Sequence, residues 1–286
     1  MTLGVAWIRN TANVQEVVVA SDSLLSAGPE TWEACPKILP LPRTDAVISF
    51  AGVTEFAYPA MLQISRAIES HPAQVERRYD ITYLAGLVED VINQLDSFAR
   101  TEAPDSLKQS RKVTEFLLSG FSWKYSSFRI WRFAWDPRYR RYTKRQCGAE
   151  RGSDRQATFR FIGTHAAQGR AVSELRKIVA GRSSRKLDME PYEVLAAIIE
   201  SKEYRDIGGA PQVVKVYRHL NSQVFGTTWT IRGEEVETYA GRPLLEFEKL
   251  TIPLISRSDP GKFGKSVGRS RRAIERTLDA DSYPEV

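Results

Sequence analysis

The first 52 residues contain four segments that decide the fold. In order they read Met-Thr-Leu-Gly-Val (1–5), Val-Val-Val-Ala-Ser-Asp (17–22), Pro-Lys-Ile-Leu-Pro-Leu (36–41) and Val-Ile-Ser-Phe-Ala-Gly (47–52). Apolar runs bounded by polar or turn-forming residues predict strands at 3–8, 16–21 and 46–51. The polar residues 10–13 predict a turn, so the first two strands should form a hairpin.

Thr2 follows the initiator methionine directly. A small second residue normally permits removal of Met1, which would make Thr2 the N-terminus of the mature chain. A threonine in that position carries a hydroxyl and a free α-amine on one residue. The amine, with an ordinary pKa of about 8, can serve as the base that activates the hydroxyl. The alternative is that Thr2 is an ordinary second residue without a chemical role.

Three further residues follow Thr2 in the first 52 positions. Asp22 ends an apolar run, Lys37 comes fifteen residues later (37 − 22), and Gly52 comes fifteen residues after that (52 − 37). In order and in approximate spacing, these residues resemble the proteasome β-subunit family, including the bacterial HslV-type peptidases, among the N-terminal nucleophile hydrolases. The resemblance covers roughly residues 2–217.

The resemblance implies an α+β fold, a four-layer αββα sandwich, and a role for each residue. Thr2 is expected to be the nucleophile, and Lys37 to favour its deprotonated form. Asp22 is expected to hold Lys37, and the Gly52 backbone N–H to stabilise the oxyanion. Each residue also has a purely structural interpretation: Asp22 as a turn residue, Lys37 as a surface lysine, and Gly52 as a helix-entry glycine.

Two later segments match the family less closely. Ile162-Gly163-Thr164-His165 resembles its Gly-Ser-Gly segment, which implies that Thr164 supplies a hydroxyl beside the nucleophile. We interpret His165 as a helix-start residue that faces solvent. Asp206 precedes Gly208-Gly209 where the family has an Asp before Ser-Gly-Gly, and it is expected to belong to the site although the spacing is shorter.

Two residues are expected to bind the substrate. By the same resemblance, Phe50 forms the floor of the pocket for the side chain that precedes the cut, and Cys35 lines its wall. A phenylalanine floor predicts a short apolar pocket that prefers small or medium apolar side chains over arginine or lysine.

Composition sets limits on the class of protein. The 286 residues include 42% hydrophobic and 27% charged residues, typical of a globular chain with a sizeable core. No apolar run reaches the roughly 20 residues of a membrane span, and no secretion signal precedes the core, so we expect a cytoplasmic protein without a membrane partner. The two cysteines and three histidines have no metal-ligand spacing, and no motif indicates a cofactor or a metal.

The net charge of +6 is partly local. Residues 138–160 contain eight arginines and lysines with interleaved Tyr139 and Tyr142, a pattern that would suit a nucleic-acid ribbon. The segment contains no nucleic-acid-binding motif, and we interpret it as the solvated face of a hairpin rather than as a nucleic-acid site.

The remaining pattern alternates pairs of helices with groups of strands. Helices are predicted at 54–71, 81–100, 166–179 and 191–203, with Thr54 as the cap of the first, and a loop is predicted at 26–36. Strands are predicted at 114–120, 126–135, 157–162, 212–217, 224–231 and 235–239. These elements suggest one domain over 1–256, followed by a basic tail over 257–286 with a short helix near 270–278.

The leading hypothesis is an N-terminal threonine peptidase that acts on a peptide or protein substrate through an acyl-enzyme. The family resemblance implies a homo-oligomeric ring and, for folded substrates, a separate ATP-dependent unfoldase, because this chain has no nucleotide-binding loop of its own. A catalytically silent proteasome-like subunit, a non-proteolytic N-terminal nucleophile amidohydrolase and a basic nucleic-acid-binding protein remain as alternatives.

Overall fold

The computed structural model describes residues 2–12, 14–27, 30–99, 104–148, 157–180, 182, 186–248 and 251–265. The helices in this part of the chain are α1 (Thr54–Glu69), α2 (Pro72–Val75), α3 (Ile81–Phe98), α4 (Pro104–Val113), α5 (His165–Ala180) and α6 (Glu190–Ser201). The strands of the first half are β1 (Leu3–Asn10), β2 (Gln15–Ser21), β3 (Leu25–Ala27), β4 (Glu30–Trp32), β5 (Ile38–Pro40), β6 (Ala46–Ala51), β7 (Glu115–Ser122) and β8 (Ser127–Asp136). Those of the second half are β9 (Arg141–Cys147), β10 (Phe159–Gly163), β11 (Gln212–Tyr217), β12 (Ser222–Ile231), β13 (Glu234–Tyr239), β14 (Arg242–Pro243), β15 (Pro253–Ile255) and β16 (Phe263–Lys265).

The strands form two main sheets. The larger sheet has the order β10-β1-β2-β11-β12-β13-β14, and β15 and β16 extend it from β12. The smaller sheet has the order β5-β6-β7-β8-β9, with every neighbouring pair antiparallel. The predicted hairpin of β1 and β2 is confirmed, with Gly4 opposite Ser21 and Asn10 opposite Gln15.

Three apolar clusters hold these elements together. In the first, Leu175 of α5 and Leu195 of α6 pack with Val5 and other residues of the larger sheet. In the second, α1 and α3 pack against the smaller sheet, and Ile64 of α1 is fully buried there. The third joins inward-facing residues of the two sheets, among them Val19, Val47, Leu117 and Val214. The predicted α+β class is confirmed at this level.

A network of buried charges lies in the larger sheet, at the end of β1 away from Thr2. Glu16 accepts hydrogen bonds from Arg9 and from the Lys215 ammonium, each at 2.9 Å. Arg9 also donates to Asp188, in the segment before α6, at 2.5 Å. Burial lowers the pKa of Lys215 to about 8, because the low-dielectric interior disfavours the ammonium form.

Several sequence predictions about local structure are corrected. The region 26–36 is not only a loop, because β3 and β4 form a two-stranded hairpin within it. Thr54 does not cap α1: Val53 occupies the N-cap position, and its backbone N–H donates to Thr114 Oγ1 at 3.1 Å. The helices α2 and α4 and the strand β9 were not predicted, because their sequences are short or strongly charged.

The C-terminal region begins inside the larger sheet. Strand β15 pairs in parallel with β12, and β16 pairs with β15 in antiparallel fashion. Arg257, the first residue of the predicted tail, forms an ion pair with Glu200 of α6 at 2.8 Å. The first nine residues of that tail, 257–265, therefore contact the folded domain, whereas the helix predicted near 270–278 lies outside the described residues.

In the described part of the chain, no helix has both the length and the apolar character that a membrane crossing requires.

Candidate functional site

Lys37, which lines a cavity, forms a buried ion pair with Asp22. Lys37 immediately precedes β5, and Asp22 immediately follows β2. The Lys37 ammonium lies 2.9 Å from Asp22 Oδ1 and also donates to the Leu24 carbonyl oxygen at 2.6 Å. Relative exposure is 1% for Lys37 and 0% for Asp22, so water competes little with this pair.

The Asp22 carboxyl is held by backbone groups as well as by Lys37. Its Oδ1 accepts the Leu3 N–H at 3.1 Å, and its Oδ2 accepts the N–H groups of Gly208 and Leu24 at 3.2 Å and 3.3 Å. Complete burial raises the pKa of the Asp22 carboxyl, while the Lys37 charge and the backbone hydrogen bonds act in the opposite direction. A group that accepts four hydrogen bonds and donates none has the bonding pattern of a carboxylate.

Gln212, the first residue of β11, connects the two segments that carry this pair. Its side-chain amide donates to the carbonyl oxygens of Cys35 at 2.6 Å and Asp22 at 3.3 Å. Its Oε1 accepts the backbone N–H of Lys37 at 3.0 Å. The fixed amide therefore sets the position of the Lys37 backbone relative to Asp22.

Thr2 lies directly before β1 and is held against the junction of β10 and α5. The Thr164 backbone N–H donates to the Thr2 carbonyl oxygen at 2.9 Å, and Thr164 Oγ1 donates to Asp206 Oδ2 at 2.5 Å. Gly163 has a φ of 124°, and a Cβ on it would lie 1.7 Å from the Thr2 carbonyl oxygen. Only glycine allows β10 to approach Thr2 this closely.

Gly52 is also a required glycine. It follows β6 with a φ of 126°, and a Cβ there would lie 2.5 Å from Thr114 Cα. This conformation turns the chain from the strand into the first residues of α1. Gly52 thereby comes to the same cavity as Thr2.

One cavity of about 610 Å³ brings several of these residues together. Its lining residues are Thr2, Leu24, Leu25, Ser26, Lys37, Phe50, Gly52, Val53, Thr54, Glu55, Tyr58 and Pro59. The cavity opens beside the β3–β4 hairpin and the first turns of α1. A threonine, a buried lysine and a strand-end glycine therefore line the same cavity.

Phe50 and Tyr58 form the aromatic side of the cavity. Their rings meet edge to face, with centroids 5.2 Å apart. The Tyr58 hydroxyl donates to the Pro36 carbonyl oxygen at 2.7 Å and lies 2.5 Å from Cys35 Sγ. Cys35 is 6% exposed and lies behind Tyr58, and burial raises the pKa of its thiol. Tyr58, not Cys35, therefore supplies the wall beside Phe50.

The residues predicted from sequence occupy different depths of the site. Thr2, Lys37, Phe50 and Gly52 line the cavity, and Asp22 lies behind Lys37. Thr164 and Asp206 form a hydrogen-bonded pair on the far side of Thr2. His165 is exposed as the first residue of α5, as expected.

Sequence reasoning missed three residues that shape the site: Tyr58, Gln212 and Glu55. Tyr58 follows Phe50 by eight residues (58 − 50) and lies just over one turn into α1, but nothing in the sequence alone signals its hydrogen bonds. Gln212 lies 175 residues from Lys37 and shares no motif with it. Glu55 looks like an ordinary first-turn residue of a helix.

The described residues contain no group of three or more His, Cys, Asp or Glu side chains placed to hold a metal ion. Comparison of the sequence with protein-family models and with curated proteins gives no match.

Proposed function

We propose that this protein is an N-terminal threonine peptidase that hydrolyses amide bonds through an acyl-enzyme. The observation that carries the proposal is the meeting of Thr2, Lys37 and Gly52 in one cavity, with Asp22 paired to Lys37. Residues separated by up to 50 positions along the chain (52 − 2) line the same cavity. Lys37 is 1% exposed and still lines this cavity, which supports a role in it beyond packing.

In the proposed reaction, the Thr2 hydroxyl oxygen attacks the carbonyl carbon of the substrate amide. The hydroxyl proton passes to the Thr2 α-amine and then to the departing amine, so that the C–N bond breaks and an ester forms. Lys37 favours the alkoxide, and the Gly52 N–H stabilises the oxyanion. Water then hydrolyses the ester and restores the free hydroxyl.

The other residues hold this arrangement in place. Asp22 fixes the Lys37 ammonium, and Gln212 fixes the backbone of Lys37. Thr164 anchors the Thr2 backbone, while its own hydroxyl is bound by Asp206. These contacts position the nucleophile before substrate arrives, which reduces the reorganisation that the transition state requires.

For the fold, we propose a four-layer αββα sandwich of the N-terminal nucleophile type. The three apolar clusters support this order of layers. The first packs the pair α5 and α6 against the larger sheet, and the third packs the larger sheet against the smaller one. The second packs the smaller sheet against the pair α1 and α3. An experimental structure in which the two sheets do not face each other would contradict it.

We further propose a cytoplasmic homo-oligomeric ring that encloses the cavity and receives folded substrates from a separate ATP-dependent unfoldase. Enclosure would restrict cleavage to chains that have been delivered into the ring. Mass photometry at micromolar concentration tests this proposal. A ring has a mass that is a multiple of the 32.3 kDa of one chain, and a single species of 32.3 kDa would contradict the proposal.

Substitution of Thr2 tests the proposed activity. The parent protein, Thr2→Ala and Thr2→Ser are compared on a panel of fluorogenic peptide amides and small acyl amides. Thr2→Ala should lose hydrolysis, whereas Thr2→Ser keeps the hydroxyl and the amine and should retain part of it. Cleavage of small amides but not of peptides would favour the non-proteolytic amidohydrolase.

A catalytically silent subunit is the second candidate. It is favoured by one chemical fact: in a peptide bond to Met1, Thr2 has no basic amine. The intact mass of the purified protein distinguishes the two candidates. Retention of Met1 on all molecules, together with the absence of hydrolysis, would favour the silent subunit.

A further inference from the structure

Two charged side chains line the cavity beside Thr2 within the described part of the chain, and only one of them is available to a ligand. Lys37 is 1% exposed, and Asp22 and the Leu24 carbonyl oxygen already hold its ammonium group. The charge of Lys37 is therefore balanced within the protein. The other charged residue that lines the cavity is Glu55.

Glu55 is exposed and lies in the first turn of α1. The positive end of the helix dipole lies at this turn, next to the Glu55 side chain. Among the described residues, its side chain forms no ion pair or hydrogen bond. The carboxylate oxygens are consequently free to bind a cation that enters the cavity.

The remaining walls suit the stem of a long basic side chain. Two aromatic residues, Phe50 and Tyr58, and two aliphatic ones, Val53 and Pro59, are among the residues that line the cavity. Lysine and arginine pack their methylene stems on such surfaces while the charged end reaches a polar partner. The volume of about 610 Å³ is large enough for an extended side chain.

We infer that this cavity selects substrates that carry a lysine or arginine side chain, with Glu55 as the specificity-determining residue. The inference rests on the proposed peptidase function and names its substrate class. It differs from the sequence-based expectation of a short apolar pocket over Phe50, because Glu55 lines the same cavity as Phe50 and Tyr58.

The test compares peptides that differ only at the residue preceding the cut: lysine, its uncharged analogue norleucine, and glutamate. The parent protein should cleave the lysine peptide with a kcat/KM roughly fivefold above that of the norleucine peptide, the scale of one exposed ion pair. In Glu55→Gln this ratio should fall to about 1, and Glu55→Lys should favour glutamate over lysine. Glu69→Gln, at the distant end of the same helix, should keep the parent ratio.

A binding measurement on inactive protein tests the cavity preference independently of the proposed reaction. The lysine and norleucine peptides are titrated onto Thr2→Ala protein by calorimetry, with and without Glu55→Gln. Absence of hydrolysis in the parent would overturn the proposed function, and tighter lysine binding that depends on Glu55 would still support the cavity preference. Equal binding of the two peptides, or a lysine preference that survives Glu55→Gln, would overturn the inference.

Discussion

Lys37 and Asp22 show at the residue scale how a buried pair couples stability to function. Lys37→Met would leave the Asp22 carboxylate without its ammonium partner in a fully buried position. We expect a loss of about 3–5 kcal/mol in the free energy of unfolding, together with loss of peptide hydrolysis. Urea denaturation followed by circular dichroism measures the first effect, and a fluorogenic peptide assay measures the second.

The double variant Asp22→Asn/Lys37→Met is the matched control for this prediction. It removes the unpaired buried charge, so it should recover part of the stability lost in Lys37→Met while remaining inactive. A double variant no more stable than the single one would show that the pair contributes no charge coupling to the fold.

Lys215 gives a pH-dependent prediction. Its pKa is about 8 in the folded protein and 10.5 in the unfolded chain. Between these values the unfolded state binds the proton that the folded state has released, so the free energy of unfolding rises with pH. Relative to Lys215→Met, the stability of the parent should rise between pH 8 and 10 by an amount on the order of 2 kcal/mol. A difference that falls over this range, in urea titrations of both proteins, would contradict the burial argument.

Site residues that lie at the ends of apolar segments could be predicted from the sequence, and the others could not. Asp22, Lys37 and Gly52 could be predicted because each ends or begins an apolar segment, and the structure brings Lys37 and Gly52 to one cavity with Asp22 behind. Gln212 and Tyr58 could not be predicted, because their roles depend on contacts between segments that are distant in sequence. Thr2 is 1% exposed, because the chain from β10 to α5 packs against it, and the sequence alone does not indicate this burial.

At the scale of elements, we predict that the junction of β10 and α5 tolerates no side chain at Gly163. Gly163→Ala would place a methyl group in the space of the Thr2 carbonyl and strain a backbone with φ of 124°. We expect a loss of about 2 kcal/mol or more in stability and a large fall in hydrolysis, because Thr2 would be displaced.

Gly169→Ala is the control in the same element. Gly169 lies inside α5, and an added Cβ there would have no neighbour within 4 Å. Alanine should therefore stabilise the helix by up to about 1 kcal/mol and leave hydrolysis unchanged. If Gly163→Ala were as stable and active as Gly169→Ala, the close approach of β10 to Thr2 would not be required for function.

Long periodic elements could be predicted and short ones could not. Strands β6 and β11 agree with their predicted bounds, and α1, α3, α5 and α6 agree within two residues, because apolar periodicity defines them. The β3–β4 hairpin and α4 have few buried apolar residues to mark them. Packing against the rest of the chain, rather than their own sequence pattern, determines where such elements form.

For the whole molecule, the boundary between domain and tail is open to a direct test. Strand β16 pairs with β15, so deletion of 258–286 removes a strand, whereas deletion of 266–286 leaves every described strand intact. We expect the shorter deletion to change the free energy of unfolding by less than about 0.5 kcal/mol, and the longer one to lower it by about 1 kcal/mol or more. A protein that is insoluble after the shorter deletion would show that the terminal residues belong to the domain.

Covalent labelling of Thr2 tests the proposed nucleophile most directly. The parent protein is treated with a β-lactone, an electrophile that acylates an activated hydroxyl, and is then mapped by peptide mass spectrometry. We predict one adduct, on a Thr2 that has become the N-terminal residue, and none in Lys37→Met. An adduct on another residue, or hydrolysis by a protein whose Thr2 stays unlabelled, would contradict the assignment of the active site.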